Sequence, residues 1–214
     1  MTRCLKSAAR PAATSRGAAT RSRIVKAAAQ LVAKHGVTGT TLDDVMAASG
    51  TSKSQIYHYF KDRDALMEAV VGAQSSAVLS FQEGCLSKVR TIADLRAWRD
   101  KIVEIHRLRR GAGGCPIGSL ASELADRSET SRHALAQSFV QWEAHVAAAL
   151  EAIKRDRGVP QEIDVSALAV AIVAALQGGL LMTQTARTTR PLEAALDMAL
   201  EQVSQFLTHS GSTG

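Results

Sequence analysis

The sequence predicts an all-α protein: an N-terminal three-helix unit built on a helix-turn-helix, followed by a larger C-terminal helical domain. Apolar residues recur at three- and four-residue intervals along most of the chain, and no period-two apolar run of useful length occurs. The composition agrees, because 214 residues with abundant alanine, four prolines and 4% aromatics favour long helices over strands. A chain of this length buries a real core in one or two domains.

The net charge of +6 is unevenly placed. Arg3, Lys6, Arg10, Arg16, Arg21 and Arg23 precede the first apolar stripe with no acid among them, so the rest of the chain balances to zero. Residues 1–20, rich in Ala, Ser, Thr and Arg, read as a disordered basic arm. They lack the apolar run of a secretory signal, although the composition is also that of a transit peptide. The arm either touches DNA phosphates or the minor groove, or is a solvated leader.

The first helix carries Ile24, Ala27, Ala28, Leu31, Val32 and His35 at helical spacing and stops at Gly36. Thr41-Leu42-Asp43-Asp44 opens the second, with a hydroxyl and an acid three apart to satisfy free N–H groups and two acids at the positive end of the dipole. Leu42, Val45 and Met46 form its inward stripe, and Ser49-Gly50 closes it. Thr51-Ser52 caps a third helix from Lys53 to Phe60, so two short helices meet at a glycine-containing turn. Ile56 and Phe60 point inward together, which turns Lys53, Ser54, Gln55, Tyr57, His58 and Tyr59 outward. Such groups bond to phosphate oxygens and base edges, and a short helix enters a major groove. An ordinary surface helix with aromatic decoration is the alternative.

Asp62 caps the continuation Lys61-Asp62-Arg63-Asp64-Ala65-Leu66. The run IVKAAAQLVAKHGVTGTTLDDVMAASGTSKSQIYHYFKDRDALMEAV, residues 24–70, resembles the DNA-binding domain of the tetracycline-repressor (TetR) family of bacterial transcriptional regulators. It carries that family's A-x-x-L-x-x-x-x-G, G-x-S-K-x-x-[IL]-Y-x-[HY]-F and K-x-[KR]-x-x-L patterns in order, and between the first two Thr41-Leu42-Asp43-Asp44-Val45 follows T-[TV]-x-x-[IV] except at Leu42. By this resemblance Lys53, Tyr57 and Tyr59 hold phosphates, Thr41 anchors the preceding helix on the backbone, and Ser54, Gln55 and His58 face bases. Arg63, at the [KR] of the last pattern, joins the DNA-binding set.

A helix continues from Ala65 to Leu86, and Thr91-Ile92-Ala93-Asp94 opens another with Ile92, Leu95, Trp98, Ile102, Ile105 and Leu108 inward. Its basic end, Arg107, Arg109 and Arg110, compensates the helix dipole. GAGGCPIGSL, residues 111–120, is the one break that follows, with Pro116 suited to a first turn. It resembles a G-C-P-x-G-x-L segment that opens the sixth helix beside the ligand cavity in one branch of the same family. Cys115 is then either a thiol sensor with a lowered pKa or a small packing residue. Cys4, Cys85 and Cys115 have no metal-ligand or disulfide spacing, which fits a reducing cytoplasm, and no metal or cofactor is expected.

Residues 131–155 form a long helix with Leu135, Phe139, Trp142, Val146, Leu150 and Ile153 on one face. Trp98, Ile102, His106, Cys115, Phe139, Trp142 and His145 are candidates for an apolar pocket with polar points. Residues 165–186 lack charge over a length that would cross a membrane. The polar interruptions and the dominance of alanine instead favour a buried helix packed on a copy of itself, so no membrane is expected. Pro191 opens a last helix with a wide apolar stripe. The resemblance implies that the final two helices form a four-helix bundle with a second subunit, with Ala171, Ala175, Gly178, Gly179, Met182, Leu196, Leu200 and Val203 as candidate interface residues.

The expected organisation is a basic arm over 1–20, a DNA-binding domain over 21–66, a ligand-binding and dimerisation domain over 67–209, and a disordered tail over 210–214. The resemblance implies a cytoplasmic homodimeric regulator, a repressor, that binds a near-palindromic operator in double-stranded DNA and leaves it when a small apolar effector binds. No nucleophile with a base, paired carboxylates or metal cluster assembles from the motifs, which argues against an all-α enzyme. A helical adaptor binding protein through the aromatic helix is the remaining alternative.

Overall fold

A computed structural model describes residues 15–157 and 163–208, and among the described residues it contains nine helices and no strand. The chain divides into two units, 1–70 and 71–214, with the boundary inside the fourth helix.

In the first unit, α1 (Ser15–His35), α2 (Leu42–Ser49) and α3 (Lys53–Tyr59) are followed by the start of α4 (Arg63–Leu86). Ile24, Ala28, Val37, Val45, Ile56, Phe60 and Leu66 make the core and are at most 3% exposed. α1 begins earlier than the charge pattern suggested. Residues 15–20, assigned to the arm, are helical, as are Arg21 and Arg23, because Ala18 and Ala19 extend the helix upstream of its apolar stripe. The remainder of the arm and the expected tail lie outside the described residues. Asp62 accepts the Ala65 N–H at 2.8 Å and so caps α4, as its position implied.

In the second unit, the rest of α4 is joined by α5 (Ile92–Leu108), α6 (Pro116–Leu124), α7 (Glu129–Arg157), α8 (Val165–Ala186) and α9 (Arg190–Thr208). Pro116 occupies the first turn of α6 and Cys115 its N-cap. α8 has a mean hydropathy of 2.1 and is long enough to cross a membrane. Val165, Ala169, Ile172, Val173, Leu176 and Leu180 are nevertheless buried, and the helix packs against both α7 and α9 as a core element.

A short turn returns the chain from α8 to α9. The helices approach so closely at Gly179 that a Cβ there would stand 2.9 Å from the Leu192 Cα. The wide stripe of α9 is internal: Leu192, Leu196, Leu200, Val203 and Leu207 are at most 2% exposed in the single chain. This corrects four interface candidates, since Gly179, Leu196, Leu200 and Val203 are used up inside the protomer. Arg96–Glu201 at 3.2 Å, Arg99–Asp197 at 2.7 Å and Arg107–Glu193 at 3.2 Å pair α5 with α9 along their exposed edge.

Candidate nucleic-acid interface and a pocket in the second unit

Two consecutive capping boxes set the geometry of the helix-turn-helix. The Thr41 hydroxyl accepts the Asp44 N–H at 3.1 Å while Asp44 accepts the Thr41 N–H at 3.1 Å and its hydroxyl at 2.6 Å. These bonds hold the Asp44 carboxyl below its usual pKa. Between the helices Gly50 adopts φ 63°, a left-handed cap whose N–H bonds to the Met46 carbonyl. In the second box Ser52 accepts the Gln55 N–H at 3.3 Å and donates its own N–H to Gln55 Oε1 at 2.9 Å. Sequence reading took Ser52 as the cap but missed the reciprocal bond to Gln55 that the S-x-x-Q spacing signals, which gives Gln55 a structural duty beyond its place on the outer face.

With Ile56 and Phe60 both 2% exposed, α3 is pinned by two apolar anchors. Lys53, Ser54, Gln55, Tyr57 and His58 are exposed on its outer side, and Tyr59 is half-buried with its ring edge-on to His58 at 4.8 Å. The outer face therefore offers an ammonium, hydroxyls, an imidazole and amide donors on a short rigid helix, the set that bonds phosphates and base edges. Arg63 departs from the expected role. Its guanidinium is half-buried and donates to the carbonyls of Val37 and of Thr40, the latter at 3.2 Å from its terminal nitrogen, so it ties down the α1–α2 connection instead of being presented outward. Arg23 likewise donates to the Ser49 carbonyl at 2.9 Å, and Arg21 lies 5.2 Å over the Phe60 ring.

The second unit contains a pocket of about 240 Å³ that is partly open to solvent. Four sequence candidates line it: Ile102 and His106 from α5, Cys115 at the start of α6, and Trp142 from α7. Three do not. Trp98 is buried elsewhere with its indole N–H donated to Gln82 Oε1 at 2.8 Å, and Phe139 and His145 are half-buried away from the wall. The rest of the wall is Gln74, Ala77, Val78, Phe81 and Gln82 from α4, Ile105, Arg109, Gly114, Pro116, and Leu176 and Leu180 from α8. The α4 contribution was missed because that helix read only as a connection, yet 74, 77, 78, 81 and 82 repeat at helical spacing and mark one face.

The polar chemistry of the wall is set by burial. Desolvation, helped by the Arg109 charge, lowers the His106 pKa below 6.5, so the imidazole is neutral at neutral pH. Burial pushes the Cys115 thiol above 9.0 despite bonds from Gln177 and from the backbone, which keeps it protonated and argues against a thiolate sensor. Among the described residues no three of His, Cys, Asp and Glu converge to hold a metal ion.

Comparison with known proteins agrees with this architecture. Residues 24–70 match the model of bacterial regulatory proteins of the tetR family, and residues 91–198 match the C-terminal domain of LmrA/YxaF-like transcriptional regulators. An HTH-type transcriptional regulator in the lacX 3' region of Lactococcus lactis subsp. lactis is 32% identical over 184 residues, 84% of this chain and 90% of that one. The HTH-type transcriptional repressor DhaR of Mycobacterium sp. (strain GP1) is 23% identical over 186 residues, 85% of this chain and 90% of its own. The fold is shared with the crystal structure of regulatory protein TetR from Rhodobacter sphaeroides, with a TM-score of 0.75, 18% identity and coverage of 85% of this chain and 97% of that one. A capped helix-turn-helix, a separate all-helical unit with its own pocket, and matches across both units together establish that the chain belongs to the TetR family of transcriptional regulators, DNA-binding proteins and not enzymes.

Proposed function

We propose that the protein is a cytoplasmic repressor that binds a near-palindromic operator as a homodimer and is released when a small, largely apolar effector enters the pocket of the second unit. The observation that carries this reading is the outer face of α3, where Lys53, Ser54, Gln55, Tyr57 and His58 stand exposed on a helix fixed by Ile56 and Phe60. In this assignment Lys53, Tyr57 and Tyr59 contact phosphates, Ser54, Gln55 and His58 contact base edges, and Thr41 seats α2 on the backbone. The first unit reads DNA, and the second binds effector and dimerises. Repression is supported by the relative named as a repressor.

Dimerisation is supported by an apolar face left uncovered in the single chain. Ala171, Ala174, Gly178, Leu181 and Met182 recur at helical spacing and are exposed along α8, Ala175 is half-buried beside them, and Met198 and Phe206 are exposed on α9. Two copies meeting there would bring together two recognition helices, as a two-fold operator requires. The effector acts by binding more tightly to the conformation that does not fit the operator, since equal affinity for both conformations would shift nothing.

The direct test is selection of bound sequences from random DNA, followed by gel shift at controlled salt. Enrichment of a single two-fold motif is expected. Lys53→Ala should weaken all sequences alike and reduce the salt slope by about 1, and feeble, equal binding to every duplex would refute the reading.

A further inference from the structure

The turn from which α3 starts is held by α1. Gly50 and Thr51 both return their N–H groups to the Met46 carbonyl, the second at 3.2 Å. The buried Ser49 hydroxyl bonds the Val45 carbonyl and the Thr51 hydroxyl, each at 2.6 Å. The Ser49 carbonyl lies at the end of α2, where the helix has no further amides to offer it, and it accepts from Arg23 Nε at 2.9 Å. A cation there also suits the negative end of the α2 dipole. Two residues earlier on α1, Arg21 covers the ring of Phe60, the residue that ends α3. The recognition helix is thus touched by α1 at both of its ends.

The charge pattern groups Arg23 with a basic arm, a role in which it would attract phosphates whatever the sequence. The geometry gives it different work. A seven-residue helix has too few bonds of its own to hold a direction, so the turn before it sets where its outer side chains point. Rotation at that turn would move Ser54, Gln55 and His58 together. Base readout would blur, while sequence-independent attraction to the duplex would persist.

We propose that Arg23 is a positioning residue for sequence readout, acting through the Ser49 carbonyl and the α2–α3 turn and not by touching DNA. This inference rests on the reading of α3 as the operator-reading helix.

Two neutral substitutions in the full-length chain separate positioning from a phosphate contact. Arg23→Gln keeps an N–H donor as many bonds from the backbone as Nε, and Arg23→Met has similar length with no donor. Arg23 is exposed, so neither leaves a cavity. Gel shift over a range of salt compares the duplex enriched by selection with a random-sequence duplex of equal length. Arg23→Met should lower the ratio of the two affinities about ten-fold, whereas Arg23→Gln should keep it within about two-fold of wild type. Equal losses in both variants on both duplexes, with the salt slope reduced by about 1, would make Arg23 a phosphate contact and overturn the proposal. A wild-type ratio in Arg23→Met overturns it as well. Amide exchange in the free protein gives a second reading: Gly50 and Thr51 should exchange several-fold faster in Arg23→Met than in Arg23→Gln, while Ala28 in the α1 core keeps its protection. Equal exchange at the turn in the two variants would show that Arg23 does not hold it. If the wild-type chain enriches no sequence, the operator reading of α3 fails and this role fails with it; a loss confined to the variants bears on Arg23 alone.

Discussion

Gln55 has two duties that mutation separates. Its oxygen closes the capping box on Ser52, while its amide N–H groups belong to the outer face assigned to base contact. Gln55→Ala removes both, and should cost about 0.3–1.5 kcal/mol in urea unfolding together with altered sequence preference. Gln55→Glu retains the acceptor that closes the box, so its unfolding midpoint should stay near wild type while DNA affinity collapses from the carboxylate placed against phosphates and the lost donors. A Gln55→Glu protein that binds DNA normally would remove this residue from the interface. His106 offers a pH prediction at the same scale. Its folded pKa is depressed below 6.5, so the unfolded chain takes up the proton first as pH falls, and stability is lost from about pH 6.5 down through the folded value. Wild type should therefore lose more stability than His106→Leu between about pH 7.5 and 5.5, measured by urea midpoints. Parallel losses would show that the imidazole is not desolvated.

The elements differ in what holds them. α2 and α3, eight and seven residues long, are too short to persist by propensity, and each depends on a capping box and one or two buried anchors. α8 and α9 depend on close approach. Gly179→Ala forces a methyl to within 2.9 Å of the Leu192 backbone, so we expect a loss of about 1–3 kcal/mol in denaturant unfolding. An unchanged midpoint would mean that the two helices separate at little cost. The ion pairs between α5 and α9 are mostly exposed and should contribute less, about 0–1 kcal/mol each. Cap signals of the form T-x-x-D are local, which is why those at Thr41 and Thr91 were read directly, whereas the contact at Gly179 depends on how two helices face each other.

At the scale of the whole molecule, the uncovered face of α8 and α9 is the proposed dimer interface. Leu181 and Met182 are 66% and 61% exposed in the single chain, far from the usual fate of such side chains. Leu181→Glu with Met182→Lys should yield a monomer by light scattering, with intact helicity and operator affinity reduced by about two orders of magnitude or more, since half-sites would then be bound singly. A double variant that remains dimeric would place the interface elsewhere. Leu196→Ala, in contrast, should behave as a core truncation, because that residue is fully buried in its own protomer.

The sequence by itself determined the helical class, the start of nearly every helix, the outward set on α3 and the family resemblance, because each rests on periodicity or on capping between residues three or four apart. Tertiary structure decided the rest: that Arg63 turns inward to two carbonyls, that α4 supplies a pocket wall, that Trp98 is satisfied while Trp142 is not, and that the stripe of α9 is spent within the protomer. A helical pattern shows which residues share a face but not which partner covers it, and that choice is made only when distant segments pack.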